Sequence, residues 1–336
     1  MSDTTKTSEE LNHSRPFDVH TWSDHPETNE FVDRIYKKHF SDPLSNIQRK
    51  HLKPILLDLY VKWREDPTLL TGIHRGRSHY LAGSRYNELH ISYRVIAVID
   101  RLVELELIGL KKGIPGKDNW KGGRTSRIWP REKLRRHFLK AKLDPLDVSS
   151  REDTVDDGGI FVKGRESIIL HDADKNKVEY KDTARTNSMR EVLDAYNFML
   201  LWTHVDCRHL DDPSISKSDG TSVHISQHRK FVRRIFNDCS WRRGGRFYGG
   251  WWQRINKEHR SKIMIDGERT IEIDFSGHHI ALLYAQENIN YYEEFGFRSD
   301  PYDISIPELT DHPDFSRWLA KNTILIAVNA RNETSA

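Results

Sequence analysis

Residues 92–130, "SYRVIAVIDRLVELELIGLKKGIPGKDNWKGGRTSRIWP", hold the pattern on which the fold turns. Val95, Ile99, Leu102 and Val103 recur every three or four residues, which makes one face of a helix apolar. Ser92 stands where a side-chain oxygen can cap the first turn, and Gly109 where the helix can stop. Glycine-rich turn signals follow at 113–116 and 122–123, then a short strand over Ser126–Trp129. Upstream, "KPILLDLYVKWR" (53–64) puts Ile55, Leu56, Leu59, Tyr60 and Trp63 at helical spacing, with Pro54 in the first turn. A short helix fits 85–90.

Three helices followed by a basic hairpin outline a winged helix, in which one helix enters the major groove and the wing reaches the neighbouring backbone. Residues 51–140 resemble the winged-helix modules of replication initiators and transcription regulators. That resemblance implies DNA contact through Lys111, Lys112, Lys121, Arg124 and Arg127. Charge distribution agrees. Ten Lys/Arg lie between Lys111 and Arg136 against two acids, and seven between Arg242 and Lys262 against one, although the whole chain carries only +3. Two basic segments in a nearly neutral chain point to two phosphate-contacting surfaces.

A length of 336 residues suggests two or three domains, with 36% hydrophobic content sufficient for a core. No apolar run is long enough to span a membrane, and the N-terminus has no signal-peptide core. Residues 1–50 are expected to be largely disordered or loosely ordered. Two cysteines without a CxxC fit a reducing cytoplasm. Residues 141–185 are read as an acidic linker with a hairpin turning at Asp172–Asn176. A helix is expected over 188–205 with Val192, Tyr196, Leu200 and Leu201 on one face, and a short basic helix over 227–238.

Within 186–336 lies "TIEIDFSGHHIALLYAQ" (270–286). Ile271, Ile273 and Phe275 alternate with acids, which is strand spacing. Gly277 breaks the strand and a helix follows, so Asp274 ends a strand where a carboxylate can meet a divalent ion. The run resembles the first palm motif of family A DNA polymerases and of single-subunit phage-type RNA polymerases. By that resemblance Asp274 is the first metal-binding carboxylate, holding Mg2+, and His279 occupies the sugar-sensing position. Downstream, Arg317 and Lys321 match the R-x3-K of the family's nucleotide-binding helix and imply contact with a nucleoside triphosphate. Asn329 and Ala330 stand where the family has Tyr-Gly. Upstream, "RRGGRFYGGWWQ" (242–253) resembles the family's loop on the primed duplex, implying roles for Arg243, Arg246 and Gln253. "SDPYDI" (299–304) fits a short acidic turn between the motifs.

These readings give an α+β chain: an N-terminal winged-helix domain and a C-terminal partial polymerase palm/fingers-like domain. No second catalytic carboxylate follows Lys321, and Glu272, Asp300 and Asp303 are the substitutes at hand. Catalysis by the isolated chain is therefore expected to be poor or absent. The chain would be a fragment, a degenerate relative, or one part of a site completed by a second polypeptide. Two alternatives belong to other classes: a non-catalytic winged-helix regulator or replication initiator of a phage or mobile element, and a nuclease using Asp274, His278 and His279. Adjacent helical histidines diverge by about 100°, which weakens the nuclease.

Overall fold

The computed structural model describes residues 6–114, 123–141, 143, 152–153, 161–162, 165–217, 222–227, 229–273, 275, 277–296, 299–304 and 306–330. The protein is α+β with several small sheets. Its internal contacts divide it into two units, Met1–Thr270 and Ile271–Ala336.

The first unit begins with α1 (Ser8–Asn12), β1 (Ser14–Pro16) and α2 (Pro26–His39). The N-terminal segment is thus more ordered than its composition suggests. Thr7 and Glu10 form a capping box on α1, and β1 pairs in parallel with β2 (Leu70–Ile73). Phe31, Val32 and Ile35 of α2 lie in the main core, a helical spacing hidden among the charges of 26–39. Next comes α3 (Asn46–Glu65), which starts well before Lys53 because Ser45 and Gln48 form a second capping box. Pro54 therefore lies inside the helix, not in its first turn. Every residue from His51 to Lys62 is buried, so α3 is the central strut of this core.

Helix α4 (Val95–Glu104) follows a run of turns where a helix over 85–90 was expected. Its buried residues Val95, Ile96, Val98, Ile99 and Leu102 face α3. Ser92 does not cap it with its side chain in the expected way: its carbonyl accepts from Val95 N, and Arg94 holds the N-cap position. Gly109 does not end the helix either. It lies in β3 (Ile108–Lys111), and a Cβ there would run into the Trp129 ring. β3 pairs with β4 (Ser126–Pro130), as the sequence suggested for that strand, and the sheet order is β1-β2-β4-β3. Helix α5 (Glu132–Ala141) returns to the core and inserts Phe138 among Phe31, Tyr60 and Trp63.

Burial here leaves two histidine clasps neutral. His51 Nε2 accepts the Ser92 amide at 3.0 Å, and burial holds its pKa down at about 4. His39 meets His137 at 2.8 Å, nitrogen to nitrogen, and burial together with His137 holds His39 down at about 4. A folded pKa below the unfolded value near 6.5 means that the unfolded chain binds more protons. The stability these groups contribute is complete above pH 6.5 and is lost as pH falls toward 4. We expect the melting temperature to fall across that window. A melting temperature flat from pH 7 to 4, followed by circular dichroism, contradicts this.

The rest of the first unit is built from short pieces. β5 (Glu152–Asp153) pairs with β6 (Phe161–Val162). β7 (Ile168–Leu170) leads into the expected turn, closed by Asp172 N donating to Asn176 O at 3.0 Å. Helix α6 (Ala184–Trp202) buries Thr186, Leu193, Asn197 and Leu200, whereas Val192 and Tyr196 face solvent. The expected face was rotated because a polar residue sits at its centre. Asn197 accepts from Val232 N at 2.6 Å and donates to Val232 O at 2.8 Å, a role hydrophobicity does not reveal. β8 (Val205–Asp206), β9 (Ser214–Ser216) and β10 (Ser222–His224) surround a small core with Cys207, Trp251 and Ile255. β11 (Arg233–Asn237) is a strand where a basic helix was expected, between β7 and β12 (Ser240–Tyr248). Val232, just before β11, and Phe236 within it are both buried and pack in one cluster with Leu193 and Leu200 of α6. A short helix, α7 (Lys257–Arg260), and the hairpin of β13 (Met264–Ile265) and β14 (Glu268–Arg269) close the unit.

The second unit holds α8 (His278–Gln286), α9 (Tyr291–Phe295) and α10 (Pro313–Asn329). The helix after Gly277 is as read from sequence. Gly277 has φ +64°, and a Cβ there would strike Pro301, so glycine is required twice over. The strand before it differs from expectation. Residues 271–273 and 275 have no strand partner among the described residues, and Ile271, Ile273 and Phe275 are exposed. Alternation alone does not make a strand without a neighbour to take its backbone hydrogen bonds.

Candidate nucleic-acid interface

The glycine-rich stretch 242–253, expected to be a loop, is largely strand. β11 and β12 join through Asp238 and Cys239, both with positive φ (+55° and +51°). Two such residues make the tight turn whose twist matches paired strands. Register then slips around Phe236 and Gly244, a bulge that needs Gly244 (φ +80°) and Gly245 (φ +74°). A Cβ on Gly244 would meet the Asn237 side chain, and one on Gly245 the Phe236 ring. The bulge turns Arg242, Arg243, Arg246, Phe247 and Tyr248 toward solvent.

These exposed residues are not equivalent. Arg243 is drawn to Asp238 at 3.2 Å. Among the described residues the Arg246 guanidinium has no hydrogen-bond or ion-pair partner, and Phe247 beside it is 52% exposed. Gln253 is engaged internally: it accepts from Gly249 N at 2.9 Å and donates to Phe247 O at 3.1 Å. It ties off the end of β12, and Trp251 next to it is core.

At the start of β11 lies an arginine group that sequence reading missed. Arg165 pairs with half-buried Asp18. The Arg165 and Arg233 guanidinium groups stand 5.5 Å and 5.9 Å from the Phe231 ring centre. Arg229 is exposed, yet the surrounding protein and then repulsion from Arg15 and Arg254 push it down to about 10. Burial, then Arg165, lowers Arg233, whose Nε is shielded and has no hydrogen-bond partner among the described residues. Burial opposes ionisation of Asp18, yet Arg165 and His20 hold its carboxyl well below the usual range. Among the described residues, Arg15 pairs with Glu65 and Arg165 with Asp18, while Arg229, Arg233 and Arg254 have no ion pair. Such an excess favours an anion that can enter. The only trace in the sequence was "HRKFVRR" (228–234), read there as the basic side of a helix.

At the β3–β4 hairpin, Lys111 and Lys112 are exposed, and Ile114 and Arg124 extend the ladder by one bridge. Lys121 lies outside the described residues. Arg127 is structural: it donates to Leu11 O at 2.9 Å and Thr125 O at 2.7 Å, fastening α1 to the sheet. On α4 the charges are already matched. Arg75 grips Asp100 with two bonds of 2.8 Å, and Arg101 pairs with Asp42 and Glu104.

In the second unit Asp274 lies outside the described residues. Arg317 and Lys321 are exposed, one turn apart on α10. Arg317 Nε meets Asp300 Oδ2 at 2.6 Å. Burial works against ionisation of Asp300, but the Tyr302 amide, Arg317 and Lys321 hold its carboxyl below the usual range. Both cations therefore act on one acid, as the four-residue spacing requires. His278 and His279 stand 6.3 Å apart between ring centres, their planes 70° apart, so they do not converge. No group of three metal donors converges among the described residues of this unit. Those residues do not by themselves fit a Mg2+ ion. No helix among the described residues is long and apolar enough to cross a membrane. Comparison with protein-family models, curated proteins and solved structures finds no match.

Proposed function

We propose that this chain is a DNA-binding replication protein, gripping the duplex backbone with the β11–β12 hairpin and with a winged helix. The observation that carries the reading is the unpartnered Arg246 on a glycine bulge beside exposed Phe247 and Tyr248, backed by an arginine group short of acid. Arginine reaches phosphate or a base edge, and aromatic faces stack on unpaired bases at a primer end. The winged helix is supported by the order of parts: α3, β2, α4, then β3 and β4, with β4 between β2 and β3. With Arg75 and Arg101 neutralised, Lys111, Lys112 and Arg124 of the wing carry its contact with DNA.

Arg246→Ala should weaken binding to a primed duplex about three- to tenfold and reduce the salt slope by about one unit. Its unfolding curve should match that of wild type, because the side chain touches nothing that folding needs. Fluorescence anisotropy at several salt concentrations reads both quantities. Wild-type binding with no salt dependence would remove the proposal.

A second reading is favoured by Arg317 and Lys321 converging on Asp300. Two cations on one helix face suit a triphosphate, and the reaction would be nucleotidyl transfer to a primer 3′-hydroxyl. Asp300 would have to release Arg317 first. The exposed Ile271, Ile273 and Phe275 support completion by a second polypeptide. The test is incorporation of deoxynucleotides or ribonucleotides with Mg2+, lost in Lys321→Ala and Asp274→Ala. Wild-type binding without incorporation returns the chain to a regulator or initiator of a phage or mobile element.

A further inference from the structure

We propose that His13, Asp66 and His224 form a binding site for a first-row transition ion of the zinc class. The three side chains come from distant parts of the first unit: the residue before β1, the C-cap of α3, and the last residue of β10. One donor atom from each lies within 4.8 Å of the others, and all three residues are half-buried, within reach of solvent. His13 Nε2 meets Asp66 Oδ2 at 2.6 Å, and the His13 and His224 rings meet edge to face at 4.8 Å.

The donors are held in place. Asp66 Oδ1 accepts from the Thr68 amide at 2.8 Å and its hydroxyl at 2.6 Å, leaving Oδ2 for His13. Leu70 N donates to His13 O at 3.0 Å, fixing the backbone at the start of β1. His224 is fixed by pairing with Ser214, and Ser226 just beyond it donates to Glu65 at the end of α3. Outer partners of this kind orient metal ligands. The nearby cation, Arg15, is paired with Glu65, and the Asp66 carboxylate faces the two imidazoles. Two imidazoles and one carboxylate suit zinc and its neighbours; Mg2+ and Ca2+ prefer oxygen donors throughout. The ion would replace the hydrogen bond between His13 and Asp66. It would tie the N-terminal segment, α3 and β10 together, leaving an open coordination position. This site is independent of the nucleic-acid reading.

The test uses the full chain, stripped with chelator, then titrated with Co2+ and Zn2+. Expected is saturable binding of one equivalent, a visible Co2+ spectrum bleached by Zn2+, and a higher melting temperature with Zn2+. His13→Ala and His224→Ala should each weaken Zn2+ binding at least about tenfold, since changes to outer partners alone cost about 10–100-fold. No saturable binding in wild type overturns the proposal. So does binding unchanged in both variants, which would assign the ion to His209–His259 or His39–His137, each pair in hydrogen-bond contact. Should an alanine variant fail to fold, His224→Gln keeps the bulk and removes the imidazole. A Co2+ spectrum unchanged in that variant overturns the proposal equally.

Discussion

Phe138→Ala is expected to lower stability by about 3–5 kcal/mol, the range for large aromatic truncations in a packed core. Phe138 is 2% exposed, with ring centres 5.4 Å from Tyr60, 5.5 Å from Trp63 and 6.1 Å from Phe31. Those neighbours belong to α2 and α3, which cannot collapse into the gap without moving Tyr60. The Tyr60 hydroxyl is anchored to Leu143 O at 2.8 Å, so relaxation is restricted and the cavity persists. Phe138→Leu keeps most of the volume and should cost less than half as much. Urea unfolding followed at 222 nm measures both. A loss below about 1 kcal/mol for the alanine variant would mean that α5 contributes little to this core.

The second large effect is expected at Asp58 and Lys62, an ion pair of 2.6 Å inside α3 with both side chains under 7% exposed. Burial raises the Asp58 carboxyl and lowers the Lys62 ammonium, each opposed by its partner. Removing one partner strands the other charge. Asp58→Ala or Lys62→Met should therefore each cost about 3–5 kcal/mol. The double variant should cost less than the sum, because no charge is left unmatched. It should still fall short of wild type, since Lys62 Nζ also donates to Pro16 O at 2.9 Å and Asp58 accepts from Asp18 N at 3.3 Å. A double-mutant cycle measures the coupling, and single-variant losses that add would exclude it.

Periodicity revealed α3, α4, β4 and α8 because each depends on local pattern. It failed where partners lie far away in sequence. Val192 and Tyr196 seemed the inner face of α6 until Asn197 proved to be the bonded centre, and nothing near Asn197 announces Val232. The bulged β12 looked like a loop because its glycines serve positive φ within a ladder that only β11 completes. Ile271 to Phe275 erred in the opposite direction, a strand pattern with no strand beside it among the described residues. The candidate site was legible in part. Arg246 and the R-x3-K pair are named by the resemblance to a family motif, but the arginine group around Phe231 joins residues 15, 165, 229, 233 and 254, which sequence does not bring together.

β1 is only three residues long, yet it lies along a strand whose four residues are all buried. Ser14, Arg15 and Pro16 pair along Leu70–Gly72, and Leu11 packs with Leu70 and Trp129. Without this cover the backbone of β2 would be an open template for pairing between molecules. The border that β1 itself presents is short and ends in a proline, which cannot donate to a further ladder. The leading residues therefore close an edge that would otherwise be open to pairing. Trimming them to obtain a tidier protein for study would be expected to yield aggregates before it yielded loss of fold.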